Sequence, residues 1–330
     1  MLDSAAGREV QRLARGAILE IQGERARMSE LFKLVDHPAA LEFGDIDGSL
    51  ACQRRRFLIV TADDFGLHES VNEAVEQTSR AGILTAASLM VGAPAAADAI
   101  RRARQLPQLR VGLHLVLADG AALLAPHVVP GLVDERGHMD GRMVVRGLRF
   151  FALPAVRKQL EAEIRAQFAA FARTGLALDH VNVHKHFHLH PTVLGLLLRV
   201  GRDYGLSAVR IPDEPLWCAP VTGCFLKPWI ALMRRRLRAA GLMYNDTVFG
   251  LGASGAMTET KLLTIIARLP PGVTEIYLHP ATKSGGAIGS SMSGYRHAEE
   301  LAALLSPRVR EAIAAAEVGQ GGFADIRKDG

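Results

Sequence analysis

An apolar run that ends in two carboxylates occupies residues 57–64: Phe57-Leu58-Ile59-Val60-Thr61-Ala62-Asp63-Asp64. An uncharged run of this length is typical of a strand buried in a parallel sheet. From this point onward, strand-like and helix-like stretches alternate seven or eight times along the chain. Such alternation indicates parallel strands joined by right-handed helical crossovers. The sequence therefore predicts an α/β fold, a (β/α) barrel of seven or eight parallel strands, either closed or open at one side.

The other elements follow from hydrophobic periodicity and from helix-breaking residues. Strands are predicted over 84–91, 110–117, 178–184, 208–211 and 274–278, and helices over 69–80, 94–105, 154–173, 191–204 and 258–268. The prolines and glycines between the strand over 110–117 and the helix over 154–173 predict a long loop. Residues 212–245 are rich in Pro, Trp and Arg and are predicted to form a helical insertion.

Residues 1–53 differ from the rest of the chain, because they contain helix-compatible stretches but no strand pattern and no motif. We predict that they form a poorly ordered N-terminal extension and that residues 54–330 form one barrel domain. The net charge of +5 is too small to indicate binding to nucleic acid.

Cysteine content and hydropathy indicate the cellular location. The three cysteines form no Cys-x-x-Cys pair, which favours a reducing compartment. The sequence contains neither a signal-peptide pattern nor an apolar run long enough to span a membrane. We therefore expect a cytoplasmic protein, with contact at the inner membrane face left open.

Polar motifs follow four of the predicted strands: Asp63-Asp64, His114, His184 and His279. The carboxyl ends of barrel strands converge on one face, where active sites of this architecture lie. Each motif alone has a structural explanation, since a histidine can be hydrogen-bonded in the core and an aspartate can cap a helix. Four motifs at equivalent positions predict an active site.

One carboxylate and two neutral imidazoles would give a divalent ion three protein ligands and leave room for water. Such an ion lowers the pKa of bound water and polarises a carbonyl group. Neighbouring side chains of an extended chain point in opposite directions, so one of two adjacent aspartates can bind the metal while the other acts as a general base. Zinc is favoured by the ligand types, and magnesium or another divalent ion remains an alternative.

Residues 180–190 are unusually rich in histidine. Spacing of two residues would place His184, His186, His188 and His190 on one side of an extended chain. They cannot all bind one ion. We predict one metal ligand, a structural histidine near the following helix, and substrate contacts by His186 and His188.

Together these motifs resemble the YdjC-like carbohydrate deacetylase family over residues 57–326. The stretch Asp63-Asp64-Phe65-Gly66 is similar to the family's Asp-Asp-x-Gly, and Gly112-Leu113-His114-Leu115 matches its Gly-Leu-His-Leu. Val183-His184-Lys185-His186 resembles its Ser-His-x-His, with Val183 in place of serine. A late His-Pro pair is matched by His279-Pro280.

The resemblance implies a fold, a reaction and a role for individual residues. Asp64, His114 and His184 would hold the metal ion. Asp63 would be the general base, His279 the acid that protonates the leaving amine, and Arg210 would orient Asp63. A solvated surface arginine is the alternative interpretation of Arg210.

Within the family, residues 112–120 and 184–191 are most similar to the hopanoid-biosynthesis deacetylases. That likeness implies an acetylglucosaminyl lipid as the substrate. A deacetylase of soluble chito-oligosaccharides, a non-haem iron oxygenase, a phosphoesterase and a non-catalytic sugar-binding protein remain alternatives. The oxygenase is disfavoured by the strand–helix alternation, and the phosphoesterase by the small number of carboxylates.

Residues 225–243 combine apolar side chains with five cations and no acid. A basic amphipathic helix of this kind suits the surface of an anionic membrane. The alternative is a helix whose apolar stripe packs on the barrel while its arginines are solvated.

Overall fold

A curved parallel sheet lies at the centre of the computed structural model, which describes residues 56–215, 217–218, 222–283, 288–289 and 292–326. The predicted N-terminal extension, residues 1–53, lies outside the described residues. The strands are β1 (Phe57–Phe65), β2 (Ala86–Leu89), β3 (Arg110–Leu115), β4 (Gly120–Ala121), β5 (His138–Met139), β6 (Val181–Val183), β7 (Thr247–Phe249), β8 (Val273–Leu278) and β9 (Gly319–Gln320). The order in the main sheet is β6-β3-β2-β1-β8-β7, and β9 pairs with the start of β1.

Helices cover the outer face of this sheet. They are α1 (Glu69–Ala81), α2 (Ala96–Ala103), α3 (Met143–Ala152), α4 (Pro154–Arg173), α5 (Pro191–Arg202), α6 (Thr222–Ala239), α7 (Glu259–Ile266), α8 (His297–Leu305) and α9 (Pro307–Ala315). No helix in the described part of the chain is both long and apolar enough to cross a membrane.

Residues 208–213 join the two edges of the sheet. Val209 forms a parallel bridge with Val181 of β6, and its N–H donates to the carbonyl oxygen of Met243 at 3.0 Å. On the other side, the Val248 N–H of β7 donates to the carbonyl oxygen of Asp213 at 3.0 Å. The parallel strands therefore curl into a barrel-like fold, which confirms the predicted fold class.

The Asn245 side chain replaces backbone groups at this join. Its Oδ1 accepts the N–H of Ile211 at 2.7 Å, and its Nδ2 donates to the carbonyl oxygen of Ile211 at 2.7 Å. An amide side chain carries an N–H donor and an oxygen acceptor, as a peptide group does. It can therefore pair with both the N–H and the carbonyl oxygen of one residue.

Two segments differ from the sequence prediction. The predicted long loop contains the antiparallel pair β4-β5 and the helix α3. The predicted insertion contains α6, which connects residues 208–213 to Met243 in the way a crossover helix does. The α6 residues Ile230, Met233 and Leu237 belong to the core, the alternative that the sequence left open for this helix.

The two faces of β1 show how the barrel is filled. Leu58, Val60 and Ala62 pack into the large core beneath the helices. The alternate residue Ile59 points inward, where it forms a small apolar cluster with Ala86, Ala208 and Phe323. Farther along the same inward face come polar residues, so the interior changes from apolar to polar towards the carboxyl ends of the strands.

Candidate active site

The two adjacent aspartates lie at the carboxyl end of β1, where the strand becomes irregular. The register between β1 and β2 shifts between Ala62 and Phe65. Asp64 adopts a left-handed backbone conformation with φ of 62°, which costs a non-glycine residue about 1–2 kcal/mol. Both carboxylates are buried, each 2 % exposed. The turn of the backbone at Asp64 aims the two carboxylates at different neighbours.

Asp64, His114 and His184 form a compact group whose possible ligand atoms lie within 4.8 Å of one another. The Oδ1 atom of Asp64 is 3.2 Å from Nε2 of His114 and 3.4 Å from Nδ1 of His184. The two histidine nitrogens are themselves 3.4 Å apart. The three residues come from β1, from β3 and from the residue that follows β6. This group could hold a metal ion.

The chemistry of this donor set fits a cation. Both oxygens of Asp64 are buried, and no described residue donates a hydrogen bond to them. Buried carboxylate oxygens normally have partners. Burial lowers the pKa of His114, but the nearby Asp64 and Asp63 carboxylates raise it more, so its pKa lies above the ordinary value. The site therefore stabilises positive charge at the place where the three ligand atoms meet.

Asn182 fixes the orientation of His114. Its Nδ2 donates to Oδ1 of Asp63 and to Oγ of Ser88, each at 2.9 Å, so its amide oxygen faces His114. That oxygen lies 2.7 Å from Nδ1 of His114, which must therefore carry the proton. The lone pair of neutral His114 is consequently on Nε2, the atom that faces Asp64.

The hydrogen-bond chain continues below Asn182 through a buried histidine. Nδ1 of His180 donates to Oδ2 of Asp179 at 2.8 Å, and its Nε2 lies 3.0 Å from Oγ of Ser88. In neutral His180, Nε2 accepts the serine proton, so every member of the chain has a donor or an acceptor to match. A Cβ at Gly112 would lie 2.5 Å from the His180 ring, so glycine is required there.

Arg210 is fully buried between two carboxylates. Its Nη1 and Nη2 donate to the two oxygens of Asp63 at 2.6 and 3.0 Å. Its Nε and Nη2 donate to the two oxygens of Glu275 at 2.9 and 2.7 Å. Burial would raise the pKa of Asp63, but the charge and hydrogen bonds of Arg210 hold that pKa below its ordinary value. This placement excludes the alternative of a solvated surface arginine.

His279 follows β8, and it faces Asp64 from the side of β1 opposite to β3. Its Nε2 lies 3.8 Å from Oδ2 of Asp64. Its ring meets the edge of Tyr295 with centroids 5.1 Å apart, and its backbone N–H donates to Oε2 of Glu300 at 2.6 Å. The structure thus brings together the five residues of the four strand-end motifs: Asp63, Asp64, His114, His184 and His279.

The histidine-rich segment is not extended. Residues 184–189 form a 3-10 turn, and Lys185 and His186 have left-handed φ values of 55° and 54°. The prediction of four histidines on one side was wrong, because two left-handed residues rotate the chain. His186 lies beside the site, with Nε2 3.0 Å from the hydroxyl oxygen of Tyr277. Burial and the charge of Arg210 lower its pKa, so its imidazole is neutral at pH 7.

His188 lies behind the site rather than in it. Its side chain is fully buried, and its Nε2 donates to the carbonyl oxygen of Arg210 at 2.9 Å. Burial lowers its pKa to about 4. This position corrects the predicted substrate contact, because a side chain without accessible surface cannot touch a ligand in this conformation. His188 instead holds the backbone of Arg210, the residue whose guanidinium binds Asp63.

Sequence reasoning missed the roles of Asn182, Ser88 and Glu275. Each is a polar residue inside a short apolar strand, and that interruption is the signal that could have found them. Asn182 interrupts Val181 and Val183, for example. Residues at these positions point into the barrel, so they were candidates to support the predicted site.

A cavity of about 330 Å³ opens beside His184. Its wall also includes the polar residues Asp119, His138 and Gln167. Most of the remaining wall is apolar and is formed by Leu67, Met90, Pro94, Val116, Leu123 and Met292. The cavity can therefore accommodate an apolar group next to the possible metal site.

Curated relatives of this chain share most of its length. A carbohydrate deacetylase of Geobacillus stearothermophilus is 32 % identical over 253 residues, which cover 76 % of this chain and 90 % of the relative. A carbohydrate deacetylase of Thermoanaerobacter pseudethanolicus is 30 % identical, covering 68 % and 81 %. One of Mus musculus is 29 % identical, covering 78 % and 90 %.

A solved structure and a family match agree with this similarity. The structure, from Enterococcus faecalis V583 and provisionally described as a cellobiose-phosphate cleavage protein, superposes with a TM-score of 0.67 at 24 % identity. The match covers 82 % of this chain and 98 % of that one, and it supports the fold. The family described as YdjC-like protein matches residues 57–315. Since that match spans every strand of the site, the chain belongs to the YdjC-like family.

Proposed function

We propose that this protein is a metal-dependent N-deacetylase that hydrolyses the acetamido group of an N-acetylglucosamine-type sugar, releasing acetate and a free amine. The observation that carries the proposal is the group of Asp64, His114 and His184, with carboxylate oxygens that have no donor among the described residues. The relatives named as carbohydrate deacetylases support the same class of reaction.

Asp64, His114 and His184 would hold the ion, and zinc is the ion that we propose, with magnesium or another divalent ion as the alternative. When bound, the ion would polarise the acetamide carbonyl and lower the pKa of a water molecule. The Asn182 amide keeps the proton of His114 on Nδ1 and so leaves Nε2 free for binding.

Asp63 is the proposed general base. Its low pKa keeps it ionised at neutral pH. Oδ1 already accepts hydrogen bonds from Asn182 and Arg210, whereas Oδ2 accepts one, from Arg210. The free lone pair is therefore on Oδ2, which would take the proton of the attacking water. Arg210 is a positioning residue, since it fixes both oxygens of this carboxylate.

His279 is the proposed general acid. Its Nε2 points towards Asp64 from the side opposite β3, so a proton on this atom can reach the nitrogen that leaves as the amine. His186 is proposed to contact the sugar, because this residue is half-buried beside the site and its imidazole is neutral.

The apolar cavity supports a lipid-linked substrate, such as an acetylglucosaminyl hopanoid, over a soluble chito-oligosaccharide. Oligosaccharides present hydroxyl groups along their length, whereas most of this wall is apolar. An apolar aglycone would leave water on entering this cavity, which is favourable by about 25 cal/mol for each Å² buried.

The decisive experiment measures metal content and then acetate release from N-acetylglucosamine glycosides with short and with long apolar aglycones. We expect stoichiometric metal and faster turnover of the apolar glycoside, and Asp64→Asn is the matched inactive control. A sugar-binding protein would bind the glycosides without releasing acetate, which would contradict the proposal. If soluble chito-oligosaccharides were turned over as fast as the apolar glycoside, the lipid-linked substrate would be contradicted, but the deacetylase activity would not.

A further inference from the structure

The helix α3, Met143–Ala152, exposes large apolar side chains and buries an arginine, unlike an ordinary surface helix. Its inward face presents Arg146, Gly147 and Phe150, which are buried. The Arg146 guanidinium donates to the carbonyl oxygens of Leu117 and Leu132. Its outward face presents large apolar side chains. Surface helices normally place apolar residues towards the core and cations towards water.

The exposed apolar face is continuous along the helix. Val144, Leu148 and Phe151 are spaced by four and three residues, so they project from one side. They are 78 %, 65 % and 65 % exposed, respectively. Val145 and Leu153 extend this face and are also exposed. Soluble proteins rarely leave such a contiguous patch in water unless something covers it.

The charges around this face indicate what covers it. Residues 141–160 contain five cations and no acidic residue: Arg142, Arg146, Arg149, Arg157 and Lys158. Arg149 and Lys158 are exposed near the apolar face, whereas Arg142 is exposed but pairs with Asp140 at 2.6 Å. An apolar stripe flanked by exposed cations is complementary to an anionic bilayer, whose headgroups attract the cations while the acyl region accepts the apolar side chains.

The apolar face also lies close to the candidate active site along the chain. The cavity beside His184 is lined by Gly120 and Ala121 of β4 and by His138 of β5. Four residues separate His138 from the start of α3 at Met143. A surface bound to α3 would therefore lie next to one wall of the cavity.

We propose that α3 is a peripheral membrane-docking helix that inserts Val144, Leu148 and Phe151 into the interface of an anionic bilayer. This surface differs from the one predicted over residues 225–243. In that segment Ile230, Met233 and Leu237 pack in the core, and Arg234 pairs with Asp213, which leaves fewer groups for a membrane.

The test compares two matched variants of the full chain for sedimentation with vesicles. The vesicles contain phosphatidylcholine with phosphatidylglycerol or phosphatidylcholine alone. One variant carries Val144→Asn, Leu148→Asn and Phe151→Asn. The control carries Leu226→Asn and Leu232→Asn on α6, where both leucines are also exposed. All five positions lie at the surface, and thermal unfolding checks that each variant remains folded.

We expect the unmodified chain to bind the anionic vesicles and to bind less as salt is added. The α3 variant should lose more than about tenfold in binding, because the three inserted side chains together contribute more than the 1.4 kcal/mol that a factor of ten represents. The α6 control should bind as the unmodified chain does. Arg149→Gln with Lys158→Gln should remove the preference for anionic lipid.

Three results would overturn the proposal: full binding by the α3 variant, loss confined to the α6 control, or no vesicle binding by the unmodified chain. If the α3 variant instead converted a dimer into a monomer, the face would be a contact between copies of this chain. The vesicles contain no sugar substrate, so this result is independent of the proposed deacetylase activity.

Discussion

At the scale of single residues, the adjacent aspartates Asp63 and Asp64 differ in their hydrogen bonding. Asp63 has hydrogen-bond donors on both oxygens, whereas Asp64 has none among the described residues. The left-handed backbone at Asp64 makes this possible, because it turns one side chain into the histidine pair and leaves the other facing Arg210. A supported carboxylate and an unsupported one can therefore perform different tasks.

The unsupported carboxylate and its histidines lead to a prediction about metal binding. His114→Ala and His184→Ala should each weaken metal binding by more than about 100-fold, a larger loss than removal of an outer hydrogen-bond partner typically causes. His190→Ala is the control, because His190 packs against Phe150 and Phe187 instead. Metal content after dialysis measures the effect. Retention of one equivalent of metal by both variants would refute the ligand assignment.

The supported carboxylate leads to a prediction about turnover. Asp63→Asn should retain metal but lose about 100- to 10,000-fold in turnover, because the amide cannot accept the proton of the attacking water. Acetate release and metal content are measured on the same preparation. Near-normal turnover would show that another group accepts the proton.

At the scale of elements, strand positions could be predicted and the conformation of the histidine segment could not. The inward face of β1 follows from the alternating direction of side chains along a strand, and the polar residues at strand ends follow from the alternation of strands and helices. The turn at Lys185 and His186 requires left-handed backbone at two non-glycine residues. Local sequence patterns do not report such strained conformations, which depend on the surrounding packing. That is why His188 was expected in the site.

The helix α3 was missed for a related reason. Its exposed face is apolar and its buried face contains Arg146 and Gly147, so the usual relation between hydrophobicity and burial is reversed. The neighbouring prolines and glycines then favoured a loop. By contrast, Pro154–Arg173 was predicted with its correct bounds, because Pro154 marks the first turn and apolar residues recur with helical spacing.

Asp179 leads to a prediction about the contact between β6 and the residues that follow β9. Its carboxylate accepts hydrogen bonds from Nδ1 of His180 and from the backbone N–H groups of Phe323 and Ala324. Asp179→Asn should lower the free energy of unfolding by about 1–3 kcal/mol at pH 7, because the three donors lose their charged acceptor.

This difference should depend on pH in a defined direction. Burial raises the pKa of Asp179, but the hydrogen bonds that it accepts from His180, Phe323 and Ala324 lower it more. A lowered pKa stabilises the fold above the unfolded value of about 3.9, and this contribution is lost as the pH falls through the folded value. Urea unfolding at pH 7 and below about pH 4 measures it. A difference that does not change with pH would contradict this account.

At the scale of the whole molecule, the part of the barrel interior nearest the carboxyl ends of the strands is a polar network. Most barrels fill this space with branched apolar side chains. Here Arg210 lies at the centre, between Asp63 near the site and Glu275, which also accepts a hydrogen bond from Thr61 at 2.7 Å. Stability and site geometry therefore depend on the same buried charges.

This dependence leads to a prediction about paired substitutions. Arg210→Met should destabilise the protein by about 3–5 kcal/mol, because it leaves two buried carboxylates without their cation. Adding Glu275→Gln should recover part of this loss, since one of those charges is then removed. Chemical unfolding of the single and double variants measures the recovery. A double variant whose loss equals the sum of the two single losses would contradict the coupling.

The join at Asn245 has a consequence for how the sequence of this protein can change over time. A ladder of backbone groups tolerates almost any succession of side chains, because each residue type except proline supplies the same two groups. At Ile211 one rung is supplied by a side-chain amide instead. Position 245 is therefore constrained by the architecture although Asn245 carries no proposed catalytic role. Substitutions that are acceptable elsewhere in the sheet would open the barrel here. Tolerance to substitution should therefore be low at position 245, which a search for catalytic residues would not select.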